Sequence, residues 1–253
     1  MPKRELSAEL RRVLGQLKLG KLLPTLPERL RQAREREMDP EDVLLMVLSD
    51  EVQRRANQRL TVKAAEAGLA PELVFEEWDA DARVTYDRNL LDQLRTLRFV
   101  EQDNHVSILG PVGVGKTMLA QALGHEALRR EFSVIFEIAD KMFARLRASR
   151  LDGTHEKELR RLVAVQVLII DDLGLRPMDA LETNDLYELV TARHRTASMI
   201  VTSNRDPQEW LAMLADPLHA QALVDRFTNN AYDLVVEGES YRKKQKPRLT
   251  PTP

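Results

Sequence analysis

The eight residues Gly-Pro-Val-Gly-Val-Gly-Lys-Thr at positions 110–117 constrain the fold more than any other segment. They match the pattern G-x-x-x-x-G-K-[ST], which forms a loop between a strand and a helix. The apolar run at 106–109 predicts that strand, and the pattern at 118–123 predicts the helix. Glycines in such a loop let successive backbone N–H groups and the helix N-terminus face one anion. The segment therefore predicts an α/β fold that binds the phosphates of ATP or GTP.

Two positions of this loop have distinct predicted roles. The Lys116 ammonium can reach the β- and γ-phosphates, and the Thr117 hydroxyl can ligate Mg²⁺. The predicted nucleotide-binding residues are Gly110, Pro111, Gly113, Val114, Gly115, Lys116, Thr117 and Met118. The loop by itself does not indicate what the nucleotide is used for.

Composition excludes several other classes of protein. The chain has no cysteine, which excludes a disulfide framework and a cysteine zinc site and fits a reducing bacterial cytoplasm. No apolar stretch approaches the roughly 20 residues of a membrane helix, so no membrane partner is expected. The net charge is −2, so any contact with nucleic acid must come from local basic clusters.

Changes of pattern along the 253 residues predict four regions. Residues 1–70 show helical spacing of apolar residues, which predicts a small all-α domain for partner binding or oligomerisation. Residues 71–104 form a connector, in which Phe75 and Trp78 are expected to pack against the following domain rather than to stack on adenine. Residues 105–241 form the main domain. The basic tail at 242–253 is predicted to be disordered.

Apolar strands alternate with helical patterns throughout the main domain. The predicted strands are 106–109, 133–138, 165–170, 198–202 and 231–236. Continuous apolar strands between helices are typical of a parallel sheet that is covered on both faces. The fold class is therefore α/β, with a parallel five-stranded sheet flanked by helices.

Polar residues follow two of these strands. Asp171 and Asp172 end the strand at 165–170, and Asn204 follows the strand at 198–202. Ligands of such sheets bind outside the carboxyl ends of the strands. Asp171 is then placed to hold Mg²⁺, and Asp172 to orient or deprotonate the attacking water. Asn204 could bind the γ-phosphate or this water, although acids and asparagine are also common in ordinary turns.

The phosphate loop, the Asp-Asp strand and the Asn-tipped strand, in this order, resemble the AAA+ ATPases. The sequence Asp-Asp-Leu-Gly-Leu at 171–175, the connector from Phe75 and Gly-Glu-Ser-Tyr-Arg at 238–242 resemble the IstB-like transposition helper ATPases, relatives of the DnaC and DnaI helicase loaders. The likeness also covers residues 14–30 and 43–59 and so spans nearly the whole chain. It implies ATP and Mg²⁺ as cofactors. Duplex DNA, a cognate transposase and further copies of the chain in a ring or spiral are the implied partners.

The resemblance also implies roles for single residues. Asp172 stands where many AAA+ proteins have glutamate, and its shorter side chain leaves the position of the water open. Arg226 resembles the arginine finger that completes the site of a neighbouring subunit. Pairing with Asp225 or Asp233 is the alternative, and Arg193 and Arg195 are competing candidates. The stretch after Asn204 is too short for a full C-terminal lid, which favours a site completed by a neighbour.

Basic residues crowd the segment between the second and third strands, which tends to face the central channel in AAA+ proteins. They are Arg145, Arg147, Arg150, Lys157, Arg160 and Arg161. They could contact DNA phosphates without reading sequence. The alternative is a solvated helix face balanced by nearby acids. Two further candidate clusters are Arg54, Arg55, Arg59 and Lys63, and Arg242, Lys243, Lys244 and Lys246.

Three functions remain open at this point. The first is a regulator of DNA transposition that assembles on duplex DNA with ATP, selects or remodels the target and recruits the transposase, with hydrolysis driving disassembly. The second is a replicative helicase loader of the DnaC/DnaI type. The third is a small-molecule P-loop kinase, which would need a lid with catalytic arginines and an acceptor pocket.

Overall fold

The structure, a computed structural model, describes residues 6–78 and 84–240. The chain divides into two compact units, Met1–Val62 and Lys63–Pro253. The predicted disordered tail at 242–253 lies outside the described residues. No helix within the described ranges is long and apolar enough to cross a membrane.

The first unit is helical, as the spacing of its apolar residues predicts. It contains α1 (Ala8–Gln16), a 3₁₀ turn (Gly20–Leu22), α2 (Leu26–Glu35) and the start of α3 (Pro40–Glu66). The Asp39 carboxylate accepts a hydrogen bond from the Glu41 N–H at the start of α3, where Pro40 is the first helical residue. Arg29 of α2 binds Asp50 of α3 through two hydrogen bonds of 2.7 and 2.9 Å, which joins the two helices.

The second unit begins with short elements that lead to the sheet. They are a 3₁₀ turn (Phe75–Glu77), β1 (Val84–Thr85), α4 (Arg88–Arg95) and α5 (Arg98–Glu101). The apolar spacing of residues 90–100 predicts one helical segment, but the structure has two. Leu97 lies between them with a φ of 58°, a left-handed conformation that interrupts the helix. Its side chain is fully buried, and this burial offsets the cost of the backbone conformation.

A parallel five-stranded sheet forms the centre of the second unit, which confirms the predicted fold class. Its strands are β2 (His105–Leu109), β3 (Val134–Ile138), β4 (Val167–Asp171), β5 (Ser198–Ser203) and β6 (Ala231–Val235). Their order across the sheet is β3-β4-β5-β2-β6. Every residue of β2, β4 and β5 is buried, because helices cover both faces.

The helices of this unit pack on opposite faces of the sheet. They are α6 (Lys116–Arg129), α7 (Ala139–Leu151), α8 (His155–Ala164), α9 (Ala180–Arg193) and α10 (Pro217–Thr228). Side chains alternate along β4: Ile169 approaches α6, whereas Leu168 and Ile170 belong to the apolar cluster that includes α7, α9 and α10. After β6 the described residues are Val236, β7 (Glu237–Gly238), Glu239 and Ser240, so no lid helix lies within them.

Candidate nucleotide-binding site

The loop at 110–117 joins β2, which lies between β5 and β6 in the sheet, to α6, and its backbone requires glycine. Gly110, Gly113 and Gly115 have φ values of 146°, 88° and 99°, which side chains rarely tolerate. A Cβ at Gly110 would also lie 2.0 Å from the carbonyl oxygen of Val236. The shape of the loop therefore depends on backbone conformations that glycine adopts easily and other residues do not. The loop ends where α6 begins. This arrangement directs a helix N-terminus and a backbone cradle toward one position, as phosphate binding requires.

Lys116 is the first residue of α6 and is buried. Its ammonium donates hydrogen bonds to the carbonyl oxygens of Gly110 at 2.8 Å and Pro111 at 2.9 Å. The charge is thus held over the loop itself. A bound polyphosphate would offer this ammonium stronger, charge-assisted acceptors than two neutral carbonyls.

Thr117 and Asp171 lie in contact, although they are far apart in sequence. The Thr117 hydroxyl is 3.0 Å from both carboxylate oxygens of Asp171, and Asp171 is buried at the end of β4. Burial raises the pKa of Asp171, while the hydroxyls of Thr202 and Thr117 oppose that rise. A hydroxyl and a carboxylate side by side are hard oxygen ligands that suit Mg²⁺ beside a substrate phosphate. The residues present therefore fit the predicted metal.

Asp172 and Asn204 lie at the same carboxyl edge of the sheet, because β4 and β5 are neighbours. Asp172 has a φ of 59°, and its N–H donates to the Thr202 hydroxyl at 2.9 Å. Asn204 directly follows β5 and is exposed. The structure thus places the predicted acids and the predicted asparagine on the edge from which the phosphate loop also leaves.

Two further residues contact the phosphate loop, and sequence reasoning gave neither of them a role there. A Cβ at Gly115 would lie 2.7 Å from the Trp78 ring, and a Cβ at Gly113 would lie 2.2 Å from the Ser240 hydroxyl. The β1 and β7 strands pair antiparallel and so hold the connector and the segment after β6 together. Ser240 belongs to the Gly-Glu-Ser sequence on which the family resemblance depends in part. This motif was the only sequence feature that could have indicated a role for Ser240.

The candidate arginine fingers differ sharply in environment. Arg193 is fully buried, so its interpretation as a finger is wrong. Its guanidinium donates to the carbonyl oxygens of Leu162, Val163, Val165, Gln166 and Ser198. Arg195 is exposed just after α9. Arg226 is half-buried on α10, with its guanidinium 5.5 Å from the Tyr187 ring centre and a 3.2 Å hydrogen bond to the Ala222 carbonyl. Among the described residues no carboxylate pairs with Arg226, so the alternative pairing with Asp225 or Asp233 is absent.

Most of the basic residues between β3 and β4 are engaged by carboxylates of the same chain. Arg145 and Arg161 share Glu137 and Glu158, Arg147 contacts Asp179, and Arg150 forms two hydrogen bonds of 2.6 and 2.8 Å with Asp185. Lys157 and Arg160 are exposed on α8, and Arg160 contacts the exposed carboxylate of Glu156 at 3.6 Å and the carbonyl oxygen of the same residue at 3.4 Å. These two therefore offer the most accessible positive charge of the cluster.

The basic cluster on α3 is also partly neutralised. Glu51 is buried and accepts hydrogen bonds from Arg54 and Arg55, which lower the pKa of its carboxyl to about 2. Arg59 and Lys63 are exposed. The third candidate cluster, Arg242 to Lys246, lies outside the described residues.

The fold is similar to that of several solved structures. The DnaI structure gives a TM-score of 0.57 at 23% identity, covering 66% of this chain and 94% of DnaI. The structure of the replication initiator DnaA, bound to AMPPCP and single-stranded DNA, gives a TM-score of 0.56 at 24% identity, covering 72% of this chain and 58% of DnaA. The DnaC helicase loader gives 0.51 at 21% identity over 58% of this chain and 88% of DnaC. At these identities the likeness shows the fold alone.

The parallel sheet, the glycine loop after β2 and the acids after β4 define an α/β protein with a phosphate-binding loop of the kind that holds a nucleotide. The model of the family described as IstB-like ATP binding protein matches residues 12–248, and the chain belongs to this family. An ATP-binding protein from an insertion sequence of Mycobacterium tuberculosis is 35% identical over 95% of this chain and 96% of its own length. The insertion sequence IS21 ATP-binding protein of Pseudomonas aeruginosa is 34% identical over 94% of this chain and 90% of its own length. The predicted membership in the IstB-like ATPases is thus confirmed.

Proposed function

We propose that this protein is an ATP-dependent regulator of DNA transposition. It assembles on duplex DNA, selects or remodels the target and recruits the cognate transposase, and ATP hydrolysis drives disassembly. The observation that carries this proposal is the contact of Thr117 with Asp171 beside the phosphate loop, in a chain similar over nearly its whole length to insertion-sequence ATP-binding proteins. Its place of action is the bacterial cytoplasm, where the DNA target lies.

The residues at the carboxyl edge of the sheet divide the chemistry of hydrolysis among them. The loop N–H groups and Lys116 bind the phosphates, while Thr117 and Asp171 hold Mg²⁺. The metal neutralises charge on the phosphates when it is bound. Asp172 and Asn204 orient the attacking water. Asp172 reaches less far than glutamate would, so we expect the rate of the isolated protein to be low.

Assembly supplies what one copy lacks. Arg226 is half-buried and has no carboxylate partner among the described residues, so its guanidinium is available to a phosphoryl group in the next subunit of a ring or spiral. Residues 1–70 bind partners or further copies, residues 71–104 connect them to the ATPase domain at 105–241, and the tail at 242–253 adds positive charge. DNA contacts the basic segment on α7 and α8 through its phosphates.

The Lys116→Ala variant tests whether nucleotide binding controls assembly. Loss of an ammonium that binds phosphate should weaken ATP binding by about tenfold to a hundredfold. Assembly on duplex DNA with an ATP analogue, followed by sedimentation and electron microscopy, should then be lost. Lys141→Ala removes an exposed lysine of α7 and is the matched control. Normal assembly of the Lys116→Ala variant would show that the loop is not the switch.

A helicase loader is the second candidate function, since the fold covers 94% of DnaI and 88% of DnaC. Capture experiments with the transposase and the replicative helicase of the same cell, each in the presence of ATP, separate the two. Binding of the transposase supports the regulator. Capture of the helicase alone would favour the loader and contradict our proposal. The kinase alternative is not favoured, because the chain belongs to the IstB-like family.

A further inference from the structure

Thr202 lies one residue before the end of β5 and is completely buried. Its hydroxyl donates a hydrogen bond of 2.6 Å to the Asp171 carboxylate and accepts one of 2.9 Å from the Asp172 N–H. One side chain of β5, the strand that precedes Asn204, therefore contacts both Asp171 at the end of β4 and Asp172 directly after it. No role was predicted for it from the sequence.

The chemistry of this contact requires a hydroxyl. A threonine hydroxyl has one hydrogen to donate and lone pairs to accept, and Thr202 uses both functions at once. Valine has almost the same shape but neither function, so it would leave the Asp172 N–H without its acceptor and the Asp171 carboxylate with the Thr117 hydroxyl but without the shorter bond from Thr202. Serine would keep both.

The hydroxyl acts on a backbone that is otherwise well anchored. The Leu173 N–H donates to the Thr202 carbonyl at 2.9 Å, and the Ser203 hydroxyl donates to the Leu173 carbonyl at 2.7 Å. These bonds do not involve the Thr202 hydroxyl and would survive its removal. Its loss is therefore expected to loosen the orientation of the two acids without detaching the turn that carries them.

Asp172 depends on this contact in a second way. Its φ of 59° is a left-handed conformation, which is less favourable than the right-handed one for a residue with a side chain. The hydrogen bond from its N–H to Thr202 helps to offset that cost. The same hydroxyl thus fixes the Asp172 backbone and the carboxylate orientation of Asp171, whose oxygens also face the Thr117 hydroxyl.

We propose that Thr202 is a positioning residue that aligns Asp171 for Mg²⁺ and Asp172 for water. The inference rests on the proposed ATPase function and deepens it, since it ties the Asn-tipped strand to the metal-binding acid. Groups that orient a metal ligand typically change metal affinity or activity by about tenfold to a hundredfold when they are removed.

The test measures the affinity for a fluorescent ADP with Mg²⁺ and with EDTA for wild type, Thr202→Val and Thr202→Ser. The valine variant should bind ADP normally in EDTA but lose about tenfold or more of the affinity gained from Mg²⁺. Its kcat should fall while its KM for ATP at saturating Mg²⁺ changes little. The serine variant should restore both properties. Thr183→Val is the matched control, because Thr183 is an equally buried threonine whose hydroxyl accepts from the Ala215 N–H.

Three results would overturn the positioning role: a valine variant that equals wild type, a serine variant as impaired as valine, or an equal loss in EDTA and in Mg²⁺. If the valine variant does not fold, Thr202→Ala removes the same hydroxyl with less bulk and is measured in the same way. Absence of Mg²⁺-dependent nucleotide binding in the wild type would instead overturn the proposed function itself. The two failures are therefore distinguishable.

Discussion

His105, the first residue of β2, is a buried imidazole that the proposed chemistry does not use. Its Nδ1 accepts a hydrogen bond from the Met199 N–H at 3.2 Å, and its ring stacks on Phe227 at 5.2 Å. Burial, together with the positive charge of Arg193 and nearby His194, lowers the pKa of His105 to about 4. The native state therefore holds this imidazole neutral.

We expect this histidine to make stability fall with acid. The folded state favours the neutral form of His105. Its contribution to the free energy of unfolding is therefore complete above pH 6.5, near the pKa of histidine in the unfolded chain, and is lost as pH falls from about 6.5 to about 4. The loss should reach about 3 kcal/mol. Urea unfolding at a series of pH values should show a steeper decline for wild type than for His105→Asn, which cannot become charged. Parallel curves for the two proteins would contradict the expectation.

At the level of single residues, the sequence predicts what is encoded within a few neighbouring positions. The phosphate loop and the paired acids are such cases, because spacing alone defines their chemistry. Thr202 and Ser240 could not be assigned, since their partners come from distant segments that only the folded sheet brings together. Arg193 stayed among the candidate arginine fingers for a related reason. Its charge is visible in the sequence, but the carbonyl oxygens that surround its guanidinium are not.

At the level of elements, continuous apolar runs predict the five strands well, because a strand buried on both faces needs apolar side chains on both. The predicted first and last residues of the strands are less accurate. The third predicted strand, 165–170, is observed as Val167–Asp171, so the acid that we predict to bind Mg²⁺ is part of the strand rather than beyond it. Asp171 pairs with Ile138 of β3 in the parallel ladder. This pairing holds the acid more rigidly than a turn would.

The helices α7 and α8 show why a run of charge is difficult to interpret from sequence. Arg145 and Arg161 of these helices share two carboxylates, so their charges are largely balanced within the chain. Each such pair must be broken, at least in part, before its arginine binds a phosphate. We therefore expect Lys157 and Arg160 to contribute more to DNA binding than the paired arginines do.

The double variant Lys157→Glu with Arg160→Glu tests this expectation. DNA affinity at moderate salt should fall, and the slope of log affinity against log salt should decrease by roughly two, since about two phosphate contacts are removed. Arg88→Glu with Arg98→Glu makes the same change of charge at exposed positions of α4 and α5 and is the control. An unchanged salt titration for the α8 variant would exclude this segment from the DNA interface.

For the whole molecule, the proposed role of Arg226 implies that a complete site requires two copies. The loop, Asp171 and Asp172 belong to one edge of the sheet, whereas we propose that Arg226 acts on a neighbour. On this proposal we expect the protein to hydrolyse ATP efficiently only when it is assembled. The order of the subunits in the assembly would then determine which sites are active.

Mixing two inactive variants tests this arrangement. Lys116→Ala and Arg226→Ala should each reduce DNA-stimulated hydrolysis, the second by about a thousandfold or more, because arginine fingers contribute on this scale. A mixture should recover part of the activity, since some interfaces then combine an intact loop with an intact arginine. Mixing Lys116→Ala with Lys141→Ala, which changes an exposed lysine of α7, measures the effect of dilution alone. No recovery in the first mixture would contradict a finger supplied by Arg226.

The position of Trp78 has a practical consequence. The chain contains two tryptophans, and Trp78 lies against Gly115 of the phosphate loop while its indole N–H donates to the Tyr86 hydroxyl at 3.1 Å. The other, Trp210, is buried and donates to the Ser203 hydroxyl at the tip of β5. Each indole therefore adjoins one wall of the nucleotide site. A Trp210→Phe protein would carry a single tryptophan, which lies beside the loop, and the emission of its indole could follow nucleotide exchange in real time without a chemical label.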